Sequence, residues 1–222
     1  MKVELISYTP APVQVVEKAA STCYNSEPTA DGKIMKACYR NKHHSVLEHV
    51  SFSYRISGVS RALLAQLTRH RTGIAFSVRS QRYCAEDGFG FVTPPSIQKN
   101  EKALKVYDQI MDNITTAYTL LSSLGIPNED ARFILPNACE TVITTTINLR
   151  ELIHICNERL CSRAQWEIRQ MVQMMVDETL KVFPEGKTML VPKCEVNAKY
   201  PFCTEAQCCG RHIKLSEVYK DE

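Results

Sequence analysis

Thr141–Leu160 reads TVITTTINLRELIHICNERL. Its first seven residues are all β-branched, a composition that favours a pleated, half-buried strand. Asn148 is of a type that caps helices. Leu149, Leu152, Ile153, Cys156 and Leu160 then recur on one helical face. The stretch therefore predicts a strand feeding a helix. Arg150 and His154 are four apart on that helix and so neighbours, while Arg159 and Arg163 lie at or just beyond its end.

The same succession recurs upstream. Lys2–Tyr8 alternates as a short first strand, and Pro10 and Pro12 break it and open a helix through Val13, Val16, Ala20 and Cys23. A second short helix is predicted over Lys33–Arg40. Ser45 and Glu48 form an S-x-x-E capping box. Val50, Phe52, Tyr54 and Ile56 then alternate with polar residues as a half-buried strand, which Gly58 turns. Ser60 is placed to cap a helix carrying Leu63, Leu64 and Leu67. Arg79–Phe91 is predicted to return as a strand and turn closed by Gly88 and Gly90.

After Thr93-Pro94-Pro95-Ser96, residues Leu104, Tyr107, Met111, Ile114, Tyr118 and Leu121 step by three and four. They predict a long amphipathic helix that Gly125 stops, with a stripe that packs on a core or a partner helix. Pro127 opens a short helix holding Arg132, and Ile168–Val176 continues helically. The fold class expected is α+β. A small antiparallel sheet packs with long helices in one compact domain over residues 1–190. A cysteine-bearing tail follows at 191–222.

Between the two strand–helix pairs lies Arg69–Tyr83, RHRTGIAFSVRSQRY. Arginine is permanently charged and presents a planar fork that matches phosphate oxygens. The cluster, with Gly73 and the hydroxyls of Ser77 and Ser80, suits an anionic, planar ligand. A basic helix end leading into a solvated loop is the competing reading.

Composition narrows the classes. The chain has 222 residues, 44% of them hydrophobic, and a formal net charge of +3. A chain of this length can bury a real core, and so mild a charge argues against a general nucleic-acid binder. MKVELISYTP is too short and polar for a signal peptide, and no apolar run reaches the ~18 residues of a membrane span. A cytoplasmic location with reduced thiols follows, so the ten cysteines are not evidence of disulfides. Both GxGxxG and GxxxxGK[ST] fail, which leaves no Rossmann or P-loop route to a nucleotide. His43, His44 and His49 cluster before the strand, but without HExxH spacing or a following carboxylate group.

Taken together the motifs resemble the flavin-dependent thymidylate synthase family. Arg69-His70-Arg71 followed by Ser80-Gln81-Arg82-Tyr83 resembles its signature. The gap is one residue longer than usual, and Val78 stands where the family carries Glu or Gln. Leu47-Glu48-His49 resembles the upstream histidine motif, and Ala131-Arg132 with Ile134-Leu135-Pro136 the middle arginine motif. Asn148-x-Arg150, His154, Arg159 and Ala164–Ile168 resemble the C-terminal motif. The resemblance spans about residues 1–185.

That resemblance implies reductive methylation of dUMP to dTMP. Methylenetetrahydrofolate gives the carbon, and FAD reduced by NADPH gives the hydride. A homotetramer with sites at its subunit interfaces is implied, and no cysteine nucleophile. Arg159 is implied as the catalytic residue that activates uracil. Gln66, Leu67, Thr68, Arg69, Arg79, Ser80, Gln81, Arg82, Arg132 and Arg159 are implied as dUMP ligands. Cys23, which stands where many relatives carry serine, is implied as an FAD contact, with His49, Arg69, His70, Arg71, Val78, Asn148, Leu149, Arg150 and His154.

Two other classes compete. A nucleic-acid module would use the Arg69–Arg82 arginines, but no RRM, KH or finger signature accompanies them. A zinc-bound structural tail would use Cys194, Cys203, Cys208 and Cys209, whose C-x8-C-x4-C-C spacing is not a standard finger. A mobile terminal segment with reactive thiols is the alternative for that tail.

Overall fold

The computed structural model describes residues 1–29, 31–197 and 199–218. Strand β1 spans Lys2–Tyr8, followed by α1 (Pro12–Tyr24) and α2 (Lys33–Arg40). Strand β2 (Ser51–Ser60) leads into α3 (Arg61–Leu67), and β3 covers Ile74–Val78. The short α4 (Pro95–Gln98), the long α5 (Glu101–Ser123) and the short α6 (Asn128–Ala131) come next. Strand β4 (Glu140–Asn148) enters α7 (Leu149–Arg159), then α8 (Trp166–Val182) and a final turn of helix, α9 (Leu215–Val218).

The four strands form one sheet in the order β1-β2-β4-β3. Pairing is antiparallel throughout. Thr9 at the end of β1 bonds to Ser51 at the start of β2, Arg61 beyond β2 bonds to Cys139 before β4, and Arg79 beyond β3 bonds to Val142 within β4. The expected α+β class with a small antiparallel sheet is therefore what the chain forms.

The chain divides into two compact units. One comprises residues 1–2, 56–69 and 77–144; the other 3–55, 70–76 and 145–222. In the first, Phe89, Met111 and Cys139 make a buried cluster with Phe91, Tyr107 and Ile114 against it. The expected α5 stripe faces that cluster, with Met111 and Tyr118 buried. A second apolar stripe, not anticipated, runs along α5: Val106, Ile110, Leu120 and Leu124 are all exposed. In the other unit, Phe52 and Tyr54 of β2 are fully buried with Ile168, Met171 and Met175 of α8. The Tyr54 hydroxyl bonds to Thr179, whose own hydroxyl donates to Met175 O.

Both strand–helix junctions form as expected. Ser60 accepts from Leu63 N at 3.0 Å, and Asn148 Oδ1 accepts from Glu151 N at 2.9 Å.

Three local expectations fail. Ser45 is not a cap: His44–His49 is a 3₁₀ helix capped at His43 with no side-chain bond. Glu48 is instead paired with Arg150. Gly58 does not turn the chain: β2 runs through it to Ser60. Its φ is +66°, and a Cβ there would lie 3.0 Å from Met1 N, so glycine permits the close approach. Finally, Arg79–Phe91 is not a strand. The strand precedes it at Ile74–Val78, and the later residues turn through bonds such as Cys84 N to Ser80 O, with only Phe91 bridging to Cys139.

Candidate active site

The implied ligand residues divide between the two units. In the first lie Gln66, Leu67, Thr68, Arg69, Val78, Arg79, Ser80, Gln81, Arg82 and Arg132. In the second lie Cys23, His49, His70, Arg71, Asn148, Leu149, Arg150, His154 and Arg159.

In the second unit, α7 places three of its residues around His70. Asn148 caps the helix, which fixes the rotation of Glu151, His154 and Arg159 about its axis. Glu151 Oε1 lies 3.0 Å from His70 Nδ1. Arg159 Nε lies 3.2 Å from His70 Nε2, and the His154 ring meets the His70 ring edge-on at 5.6 Å. A guanidinium N–H can only donate, so Nε2 accepts and Nδ1 carries the proton toward Glu151. Glu151 and His70 are buried. Burial pushes the Glu151 carboxyl above the usual carboxylate range, against the opposing pull of His154 and Arg150. Among the described residues the Arg159 side chain makes no other hydrogen bond, and Arg159 lines a cavity of about 300 Å³. Glu151 was not anticipated from sequence; as a first-turn acidic residue it reads as an ordinary helix-dipole partner.

The first unit concentrates guanidinium groups. Arg82 pairs with Glu129 at 2.9 Å, and Arg132 Nε donates to Glu129 O at 3.1 Å, so the two arginines converge on one short helix. Arg79 pairs with the buried Glu86 at 3.3 Å. Arg61, also missed in the sequence, donates to Arg79 O at 2.6 Å, and its buried Nε has no partner. Ser80 Oγ accepts from Arg82 N at 3.2 Å and Gln81 Nε2 approaches Cys139 Sγ at 3.5 Å. Among the described residues Arg69 and Arg71 are without an ion-pair partner.

Leu67 and Leu149 are fully buried, so a ligand contact from either would come from its main chain. Cys23 is exposed with its thiol 3.8 Å from Ala19 O. Burial pushes the Cys139 thiol up to about 11 and raises that of Cys156; neither is poised as a nucleophile. Two cavities of the second unit were not anticipated. One, of about 300 Å³, is lined by Arg159, Arg163 and tail residues. The other, of about 910 Å³, is lined by Lys33, Lys36, Arg40, Lys42 and Tyr39.

Forked cations thus gather in each unit, several of them held by a partner, and the buried thiols are inert, a chemistry suited to anionic, planar ligands. The comparisons with known proteins say which. The family model described as thymidylate synthase complementing protein matches residues 4–185. The flavin-dependent thymidylate synthase of Geobacter sulfurreducens is 39% identical over 100% of this chain and 99% of its own length. That of Nitratidesulfovibrio vulgaris is 36% identical over 95% of each. Among solved structures, thymidylate synthase X from Helicobacter pylori with FAD and dUMP aligns with a TM-score of 0.68 at 25% identity, over 80% of this chain and 93% of that one. The chain belongs to the flavin-dependent thymidylate synthases, a family of FAD-dependent enzymes of thymidylate synthesis.

The donor set suits that cofactor. His49, Arg71 and His154 are exposed side chains able to donate to a pyrophosphate or to flavin carbonyl edges. Among the described residues no helix is long and apolar enough to cross a membrane.

Proposed function

We propose that the chain converts dUMP to dTMP with 5,10-methylenetetrahydrofolate as carbon donor, NADPH as reductant and FAD as hydride carrier. The overall reaction takes dUMP, methylenetetrahydrofolate, NADPH and a proton to dTMP, tetrahydrofolate and NADP⁺. FAD, once reduced, supplies the hydride. His49, His70, Arg71, Asn148, Arg150 and His154 would hold it, with Arg69.

The observation that carries the reading is the posture of Arg159. Uracil is a weak carbon nucleophile at C5. A cation fixed against its carbonyl oxygens, or against a deprotonated N3, shifts electron density toward C5. Charge stabilisation of this kind works best when the donor is held in place before reaction. His70 holds Arg159 by Nε alone, which leaves the outer fork for the base. Arg82 and Arg132 offer the phosphate a second pair of forks. The family resemblance would also give Gln66, Thr68, Arg79, Ser80 and Gln81 contacts to dUMP, and binding the reactants together lowers the entropic part of the barrier.

A homotetramer is part of this proposal. The exposed apolar stripe of α5, Val106, Ile110, Leu120 and Leu124, supports it, because such a face is normally covered.

The test is an assay of the purified protein with added FAD. NADPH oxidation is followed with and without dUMP, and dTMP is measured once methylenetetrahydrofolate is supplied. Oxidation stimulated by dUMP, with dTMP formed, supports the reading. Failure to bind FAD, or turnover with no dTMP, overturns it.

A further inference from the structure

The segment after Pro192 gathers sulfur and nitrogen donors that the reaction above does not use. Main-chain bonds draw them together. Phe202 N donates to Cys194 O at 3.1 Å, Cys203 N to Ile213 O at 2.7 Å, and Leu215 N to Cys203 O at 2.9 Å. These bonds bring Cys203 beside the stretches that carry Cys194 and His212. The Cys208 thiol lies 3.0 Å from His212 O, which puts it on the turn that carries the histidine. The Cys194 sulfur, a Glu195 oxygen and a His212 ring nitrogen all lie within 4.8 Å of one another.

Two further details fit a metal site. Gly210 N donates to Cys208 Sγ at 3.3 Å. Backbone N–H groups two residues past a cysteine offset the charge of a metal-bound sulfur. Glu195 sits behind the histidine, accepting from His212 Nε2 at 3.1 Å and from Arg211 Nε at 2.6 Å. A carboxylate in that place orients a ligating imidazole, leaving Nδ1 to bind.

We propose that Cys194, Cys203, Cys208 and His212 bind one zinc ion, in the C-x8-C-x4-C-x3-H order of the chain. Three thiolates and one imidazole make a closed structural site. Donors around tetrahedral zinc stand roughly 3.5 Å apart; the Cys194 sulfur and a His212 ring nitrogen, within 4.8 Å, would draw together, and Cys203 and Cys208 would close on them from the adjoining stretches. Cys209, part of the set expected from sequence, drops out. It is exposed and bonds toward Ser162, and His212 replaces it.

The ion would brace the tail against the end of α7. Asn157 Nδ2 already donates to Val191 O at 2.8 Å, and Arg163 donates to Gln207 O at 2.7 Å. The 300 Å³ cavity is walled by Arg159 and Cys161 on one side and by Cys194, Cys203 and His212 on the other. Zinc would thus set the wall facing Arg159.

The full chain, purified with thiol reductant and supplied with zinc, is passed through a desalting column and its metal measured by mass spectrometry. About one zinc per chain is expected. Cys208→Ser and His212→Ala should each lower retention about tenfold or more, while Cys209→Ser retains it. Cobalt substitution should give the visible bands of a tetrahedral thiolate site. Because a variant can fail to fold, a chelator is also applied to the wild type. Chelation should open the segment after Pro192 to protease, and added zinc should close it. Absence of zinc in the wild type, full retention in both Cys208→Ser and His212→Ala, or a Cys203–Cys208 disulfide in fresh protein overturns the proposal. None of these readouts depends on dTMP formation.

Discussion

Arg159 donates through Nε to Nε2 of His70, 3.2 Å away, and His70 in turn meets Glu151 at 3.0 Å through Nδ1. The bond ties the direction of a guanidinium to the tautomer of an imidazole. His70→Phe removes the acceptor but keeps an aromatic ring. A fall in kcat of about 10²-fold is expected with little change in dUMP affinity. Unchanged kcat would show that Arg159 holds its posture without His70.

Arg159→Ala should abolish dTMP formation while the assembly, checked by analytical ultracentrifugation, stays intact. Arg159→Lys keeps the charge but has neither the Nε donor nor the fork, so a loss of about 10²- to 10³-fold in kcat is expected. Near-normal turnover in either variant would remove Arg159 from the reaction.

Glu129 holds Arg82 at 2.9 Å, with both side chains about half exposed. Glu129→Gln should release Arg82 to a phosphate. An exposed pair of this kind contributes about 0.5 kcal/mol, so dUMP should bind roughly twofold tighter. Calorimetric titration of dUMP checks this, and weaker binding would mean that Glu129 positions Arg82 rather than competing for it.

Glu86 supplies the pH test. Burial raises its carboxyl above the ordinary 4.5, against the pull of Arg79 and Arg61. With the folded value above the unfolded one, the protonated form favours the fold, and that contribution is lost as pH rises from about 4.5 through the folded value. Glu86→Gln should therefore melt above the wild type near pH 8, with the gap closing toward pH 4. A gap that widens on acidification contradicts the assignment.

Asn148 and Gly73 form a fifth, structural test. Asn148→Ala removes the α7 cap, at a cost of about 1 kcal/mol. Gly73 has φ +68°, and a Cβ there would fall 2.3 Å from Asn148 Nδ2. Gly73→Ala should cost about 1–3 kcal/mol by denaturant titration. A neutral effect would mean that Asn148 can swing aside.

Much of this was readable in the chain because local rules and tertiary packing agree there. β-Branched runs, Ser60 and Asn148 state the strand–helix junctions outright. The β3 strand is also written in the chain, as Ile74, Phe76 and Val78 alternating, but it is only five residues long and is flanked by arginines on both sides, so its apolar period is short against the charge around it. Glu151 was illegible for a different reason. A first-turn glutamate looks the same whether it faces water or a histidine 81 positions away. The same holds for Arg61, whose partner Arg79 is brought near only by the sheet, and for His212, which joins the cysteines through main-chain bonds that no spacing announces.

The passage of β4 into α7 through the single residue Asn148 leaves no slack. One residue inserted or deleted between Glu140 and Asn148 would turn every later strand side chain to the opposite face. The same change within α7 would rotate the helix end by about 100° and carry Arg159 away from His70. Length in this stretch is therefore a fixed quantity, and natural or engineered insertions in this chain belong elsewhere, at turns such as Asn25–Pro28 or Gly88, where the backbone is exposed.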